Sequence, residues 1–437
     1  MKIYLKTLGC EKNTVDSENA LALLNGIDVE ETQDIKKADI LMVNTCGFIH
    51  DAKQQSIEAI FDLIREKRVG QKLIVTGCLS QRYAKELAKE MPEVDHLLGV
   101  NDYAKLPEIV QGMRKERIAA QKAAKEYEEL PRLYAGGVSA AIKIAEGCNN
   151  VCTYCAIPYI RGLYRSRKPE AILAEAKQLA EQGVKELVVI AQDVTGYGRD
   201  FGRSDMLPKL LKDLCAIDGI RWIRLMYCYE DEITPELIRV MKDEPKICKY
   251  IDIPIQHSSD IILKAMNRKS TEHSIRSTIR ELRKQIPDIV IRTTLITGFP
   301  GETKENFNAL YAFVEDMKFD RLGVFPYSKE EGTAAAKMPN QVRSDVKQRR
   351  ADRIMALQQK ISLDNNQKYI GKTLEVLVEE VFEDGSYSGR TAYDAPEIDD
   401  GVLFTGLAGL KPGMFVPVTI TDAFDYDLSG VCYESAK

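Results

Sequence analysis

Glu146-Gly147-Cys148-Asn149-Asn150-Val151-Cys152-Thr153-Tyr154-Cys155 is the stretch on which the reading of this chain turns. It places three thiols at a three-then-two spacing in one short loop. Three thiolates so arranged can take three corners of a cubane [4Fe–4S] cluster and leave the fourth iron without a protein ligand. An open iron serves chemistry, whereas a fully ligated one suits electron storage. Two other readings compete. A structural zinc site wants four ligands, often with His among them, and the nearest histidines in sequence, His96 and His257, lie far away. A disulfide needs an oxidising compartment.

The spacing resembles the signature of radical S-adenosylmethionine (SAM) enzymes, in which the open iron chelates the amino and carboxylate groups of SAM. An aromatic residue just before the third cysteine, here Tyr154, is also typical of that family. The resemblance implies a cluster on Cys148, Cys152 and Cys155, with SAM as cofactor beside Tyr154.

A length of 437 residues suggests two to four domains. A composition of 44% hydrophobic and 29% charged residues is ordinary for a globular protein. The opening MKIYLKTLGCEKN lacks the long apolar stretch of a signal peptide. No run of ~18 apolar residues occurs, so no membrane span is expected. The ten cysteines are therefore read as cytoplasmic thiols, which favours metal or catalysis over disulfides.

In the first third, KIYLKTL (2–8), DILMVNT (39–45) and KLIVT (72–76) read as strands. Helical periodicity follows each, through Val15–Leu24, His50–Lys67 and Arg82–Lys89. This alternation predicts a parallel α/β sheet. No phosphate-cradling glycine loop accompanies it. Each strand ends at a cysteine beside a glycine: Gly9-Cys10, Cys46-Gly47 and Gly77-Cys78. Ligands gather at the carboxyl ends of such strands, so the three sulfurs are expected in one crevice, with the glycines letting backbone approach a bulky ligand. The alternative is three independently buried small side chains. Residues 115–130 (KERIAAQKAAKEYEEL) read as an exposed helix leading into a linker, with Pro131 and Gly136-Gly137 marking a boundary.

Gly9-Cys10-Glu11-Lys12-Asn13 with Asp16-Ser17-Glu18, then Asn44-Thr45-Cys46-Gly47-Phe48, then Thr76-Gly77-Cys78 resemble the N-terminal domain of methylthiotransferases. That resemblance implies a second [4Fe–4S] cluster on Cys10, Cys46 and Cys78, which handles the sulfur to be inserted. Both open irons are then expected to face a common chamber.

From Ala140 onward, strands at 140–145, 185–190, 220–226, 249–254, 289–297 and 321–326 alternate with helices. Six βα units predict an open, partial TIM-like barrel, the (β/α)6 form of radical SAM enzymes, with its active groups at the carboxyl ends of the strands. Gln192 with Asp193, Gln256 with His257, and Gly298 within ITGFPGE (296–302) end three of these strands and are candidates for holding SAM. The last resembles the family's stretch against the adenine. Each is equally readable as a structural turn. Arg161, Arg165 and Arg167 follow the cysteine loop. They can grip the SAM carboxylate or an acidic substrate group through forked hydrogen bonds, or form ion pairs that brace the barrel rim. Arg224 and Arg292, on strands, are further carboxylate partners.

Residues 341–363 read as a linking helix. Beyond them, TLEVLVEEV, VLFTGL and FVPVTITDAF suggest a small antiparallel β-barrel, which resembles the TRAM domain that closes methylthiotransferases. The expected domains are 1–113, a helical linker at 114–137, the radical SAM domain at 138–366 and the TRAM-like domain at 367–437. TRAM domains often bind RNA, but residues 367–437 hold six Glu and seven Asp against four Lys and one Arg, a net charge of −8. Such a module repels a polyanion and attracts a basic protein.

Ala395-Pro396-Glu397-Ile398-Asp399-Asp400-Gly401, Asp425-Tyr426-Asp427-Leu428, Ala191-Gln192-Asp193 and Tyr197-Gly198 resemble the branch of the family that modifies small-subunit ribosomal protein S-twelve (RimO type). Residues 134–141 (YAGGVSAA) depart from its pattern. The resemblance implies methylthiolation at the β-carbon of an aspartate of that basic protein, with an electron-donor protein as a further partner and no direct tRNA substrate. The runner-up is the tRNA-adenosine methylthiotransferase (MiaB type). A different class, an iron–sulfur electron carrier or RNA-binding scaffold, would release no 5′-deoxyadenosine from SAM.

Overall fold

A computed structural model describes residues 1–433. Two compact units emerge. One comprises Met1–Ala135, Lys143–Ala171 and Ser328–Ala336, and the other Gly136–Ile142, Ile172–Tyr327 and Lys337–Lys437.

The first unit is built on a six-stranded sheet of order β2-β1-β3-β4-β5-β6. Its strands are β1 (Lys2–Thr7), β2 (Glu30–Glu31), β3 (Ile40–Thr45), β4 (Lys72–Gly77), β5 (His96–Leu98) and β6 (Ile118–Ala119), and every pairing is parallel. Central strands of a parallel sheet are covered on both faces and read as unbroken apolar runs. All six residues of β3 are buried accordingly. Helices α1 (Glu11–Asn25), α2 (His50–Glu66), α3 (Cys78–Glu90) and α4 (Leu106–Val110) cover the sheet. Ile3, Leu24 and Met42 lie in the core on one face, and Leu41, Leu63 and Val75 on the other.

The helix expected at 115–130 does not form. Ile118–Ala119 adds instead to the sheet edge as β6, with Leu97 opposite Ile118, and the remainder is irregular. Its Ala, Lys and Glu content favours helix, but long-range anchors win. Ala119 is buried, Leu130 packs on the core, and Glu129 is held by Arg167.

The second sheet has order β14-β13-β12-β11-β10-β7 and two free edges. It comprises β7 (Ser139–Lys143), β10 (Glu186–Ile190), β11 (Trp222–Leu225), β12 (Ile247–Asp252), β13 (Val290–Thr297) and β14 (Arg321–Pro326). A short ribbon, β8 (Ala145–Glu146) with β9 (Arg165–Ser166), flanks the cysteine loop. Helices α5 (Ile157–Ile160), α6 (Pro169–Glu181), α7 (Met206–Cys215), α8 (Pro235–Asp243), α9 (Asp260–Ala265), α10 (Glu272–Gln285) and α11 (Lys304–Met317) complete the alternation. This is the open six-stranded barrel expected from the sequence.

The long α12 (Ser344–Gln367) leads to a closed five-stranded barrel, β15 (Thr373–Val381), β16 (Tyr387–Thr391), β17 (Val402–Gly406), β19 (Leu428–Cys432) and β18 (Phe415–Ala423). Its pairings are antiparallel except β17 with β19, which is parallel. Part of the acidity of this module is spent internally. Asp394 accepts from Arg321 at 2.8 Å and Asp399 accepts from Tyr250 at 2.6 Å, whereas Arg390, the one arginine of the module, donates to Glu186 of β10 at 2.7 Å. Arg224 donates to Glu186 at 2.7 Å and Arg292 to Asp252 at 3.3 Å. Both arginines suggested as SAM partners therefore serve internal carboxylates.

Candidate functional site

Parallel register brings the three strand-end cysteines to one edge. Strands β1, β3 and β4 are consecutive neighbours, with Thr7 opposite Asn44 and Thr45 opposite Gly77. Cys10 caps α1, Cys46 follows β3, and Cys78 opens α3. Two of the three thiols thus sit at helix N-termini. Asn13 ties the edge together, its Nδ2 donating to the carbonyls of Leu8 (2.7 Å) and Thr45 (3.3 Å). Ser56 on α2 exchanges hydrogen bonds with the Cys46 backbone at 2.9 and 3.0 Å.

The glycines serve this convergence directly. A Cβ on Gly47 would lie 2.8 Å from the backbone of Cys78 and Leu79. Gly77, at φ +96°, leaves no room beside Thr45, whose carbonyl a Cβ would meet at 2.4 Å. The close approach these glycines permit is of one strand end to the next.

Burial pushes the Cys46 thiol up, and the Cys78 thiol to about 11. In the second set burial raises Cys155 to about 12. A metal-bound thiol is deprotonated outright, so a cluster bound at these sulfurs would take the place of the proton that burial favours. Among the described residues, no group of three His, Cys, Asp or Glu side chains converges tightly enough for a single ion. A cubane takes one thiolate at each of three corners, which is the donor set that each cysteine triad offers.

The Cys148–Cys155 loop closes on the β8–β9 ribbon. The Cys148 amide donates to the Gly162 carbonyl at 3.2 Å, and Cys155 N to Cys152 O at 3.0 Å. Backbone N–H groups of Asn150 and Ile157 donate to the sulfurs of Cys148 (3.5 Å) and Cys155 (3.4 Å). Val151 holds φ +47°, a left-handed conformation that is rare for a β-branched residue and marks local strain. Tyr154 is half-buried.

The arginines after the loop are buried. Arg161 is 2% exposed. Its guanidinium donates to Glu146 (2.9 Å), Asn13 (2.8 Å), Asp16 (3.0 Å) and the Cys78 sulfur (3.4 Å). Lys143 joins the same carboxylates, at 2.5 Å to Asp16 and 3.2 Å to Glu146. Burial opposes the Arg161 charge, but Cys78, Glu146 and Asp16 hold its pKa well above the usual arginine value. Arg165 donates to the carbonyls of Leu163 and Arg161. Arg167 pairs with Glu129 at 2.7 Å and lies over the Tyr127 ring. The contacts these three arginines make within the chain are of the bracing kind. The sequence assigns no role of their own to Asp16, Lys143 and Glu146, and no local signal marks Asp16 as the partner of Lys143 and Arg161, more than a hundred positions away.

Cys78 packs against Ala156 and Ile160, just beyond Cys155. Arg82 donates to the carbonyl of Gly47 at 3.0 Å and to Glu330 at 2.9 Å, and its charge is felt by Cys155.

In the second unit, Gln192, Gln256 and Gly298 follow the carboxyl ends of β10, β12 and β13. Gln256 holds φ +68°, and its backbone bonds to Thr294 and Ile296 of β13. Gly298 has φ +69°, and a Cβ there would meet Lys347 Cγ at 2.2 Å. The Glu302 carboxylate accepts from the amides of Gly298 and Phe299, and in turn pairs with Arg350. Asp193 accepts from Thr195 and Gly196 within its own turn. His257 is buried, its Nδ1 accepting from Ser258 and Ser259, and burial lowers its pKa to about 3.

Three family models match the chain: "Uncharacterized protein family UPF0004" over residues 2–99, "Radical SAM superfamily" over 142–314 and "TRAM domain" over 370–432. Among curated proteins, "Ribosomal protein uS12 methylthiotransferase RimO" of Clostridioides difficile (strain 630) is 50% identical, with 100% of both chains covered. The protein of that name from Lachnoclostridium phytofermentans is 49% identical over 98% of this chain and 99% of its own. Among solved structures, the radical S-adenosylmethionine methyltransferase TsrM from Kitasatospora setae superposes with a TM-score of 0.56 at 11% identity, covering 74% of this chain and 72% of that one. That likeness is one of fold.

Proposed function

The chain belongs to the ribosomal protein uS12 methylthiotransferases of the RimO type, and from that premise we propose that it replaces a C–H bond at the β-carbon of an aspartate of ribosomal protein uS12 by C–S–CH3. It is a radical SAM enzyme, and the family uses two [4Fe–4S] clusters and SAM. When bound, these cofactors supply the electron that cleaves SAM, the radical that removes an unactivated hydrogen, and the sulfur and methyl that replace it; the hard chemistry is theirs.

The share of this chain is placement. Cys148, Cys152 and Cys155 hold the cluster that binds SAM, and Cys10, Cys46 and Cys78 hold the one that handles sulfur. The observation that carries this assignment is that all six thiols come from one compact unit, with an Arg161 hydrogen bond running from the segment after one triad to a sulfur of the other. Tyr154 contacts SAM beside the cluster on Cys148, Cys152 and Cys155. The radical SAM domain occupies residues 138–366 and the TRAM-like domain 367–437. An electron-donor protein is a partner, and the reaction takes place in the cytoplasm. Among the described residues, no helix is long and apolar enough to cross a membrane.

The test is mass spectrometry of uS12 and of tRNA after incubation with reconstituted enzyme, SAM, sulfide and reductant. The expected result is a methylthio group on an aspartate of uS12 and unmodified tRNA. Methylthiolated adenosine in the tRNA would overturn the choice of substrate.

A further inference from the structure

We propose that Arg161 sets the reduction potential of the cluster on Cys10, Cys46 and Cys78, by donating a hydrogen bond to the Cys78 sulfur from the segment that follows the other cysteine triad. The inference rests on the cluster assignment made above.

The geometry has three parts. The Arg161 Nη2 atom lies 3.4 Å from Cys78 Sγ, in a setting from which water is excluded. The guanidinium cannot swing away, because Glu146, Asp16 and Asn13 each hold it at 2.8–3.0 Å. Those partners come from α1 and from β8, so the fork is fixed from both sides. Potentials of iron–sulfur clusters follow net charge, hydrogen bonds to the sulfurs and solvent exposure. Reduction adds negative charge to a site that already carries three thiolates. A donor on a ligating sulfur and a buried cation beside it stabilise the reduced form more than the oxidised one, and the burial of Arg161 and Cys78 strengthens both effects. Arg161 therefore raises the potential. Asp16, on the same guanidinium, offsets part of that charge.

Opposite predictions follow for the two residues. The experiment uses the full chain with Cys148, Cys152 and Cys155 all replaced by Ala, so that a single cluster is read by EPR-monitored redox titration. Arg161→Lys keeps a cation but loses the planar fork. It is expected to lower the midpoint potential, by about tenfold in the reduction equilibrium or ~59 mV for one electron. Asp16→Asn leaves Arg161 less neutralised and is expected to shift the potential upward. Potentials that stay put in both variants, with iron still bound, overturn the inference. So do shifts of the same sign, as loosened packing alone would give. If one variant loses its iron, the direction of the other decides. Loss from both also overturns the inference, because the three cysteines are taken to hold the cluster without Arg161. A parent without iron at this site would instead defeat the cluster assignment.

Discussion

Gly47 shows how one residue can decide the geometry of the strand-end crevice. Its missing Cβ is the space into which the Cys78–Leu79 backbone fits, at 2.8 Å. Gly47→Ala is expected to destabilise the fold by about 1–3 kcal/mol, the usual cost of overpacking, and to lower iron retention. Gly26→Ala is the control: Gly26 caps α1 with right-handed backbone, and its Cβ would meet nothing closer than 3.4 Å. It is expected to be neutral or slightly stabilising. Denaturant unfolding of the two variants checks the contrast, and equal losses would contradict it. The cysteines and their glycines were legible in the sequence because strand ends, sulfur and small residues coincide locally. Arg161 was legible as a carboxylate partner, but its actual partners were not. That its donors end on Asp16, Asn13 and Cys78 is a fact of tertiary packing across more than eighty residues of sequence.

At the scale of elements, long periodic segments declared themselves. The helices α2, α11 and α12 and the strands β3, β13 and β15 follow from their apolar pattern. Residues 115–130 did not, because their composition is that of a helix while Ala119 and Leu130 are claimed by the core. The short β16 and β19 show little strand pattern, since a glycine, Gly389 and Gly430, sits at the centre of each. The acidic C-terminal string hid a second role, in which Asp394 and Asp399 are partners of barrel residues.

Glu186 at the start of β10 belongs to the same internal network. Burial pushes its carboxyl up, but Arg224 and Arg390 reverse this and hold it at about 2. The folded value is thus depressed below the ~4.3 of an unfolded chain. The stabilisation is therefore present above pH ~4.3 and is lost as pH falls towards 2, and it amounts to roughly 3 kcal/mol. Glu186→Gln is expected to be destabilised at pH 7 by about 3–5 kcal/mol, as when one partner of a buried ion pair is removed, and to lose less further stability between pH 5 and 3 than the parent. Denaturation midpoints across that range test this, and parallel curves would contradict it.

For the whole molecule, the chemistry was legible and the partner came from charge and family. Two cysteine triads, one in a loop and one dispersed over three strand ends, have few other uses in a chain of this composition. The C-terminal acidity favours a basic protein over tRNA, even after its internal ion pairs are set aside, because Glu380, Glu383, Glu397 and Asp400 remain exposed. Binding of uS12 is therefore expected to weaken with salt, while tRNA binding stays weak throughout. Salt-sensitive, tight tRNA binding would reverse the substrate assignment.

If each triad holds a cluster of its own, iron counting on anaerobically reconstituted protein should find about eight irons per chain in the parent and about four in each triple variant, Cys10/Cys46/Cys78→Ala and Cys148/Cys152/Cys155→Ala. SAM cleavage should survive only in the first variant. About four irons in the parent, or loss of all iron from either folded variant, would contradict separate clusters.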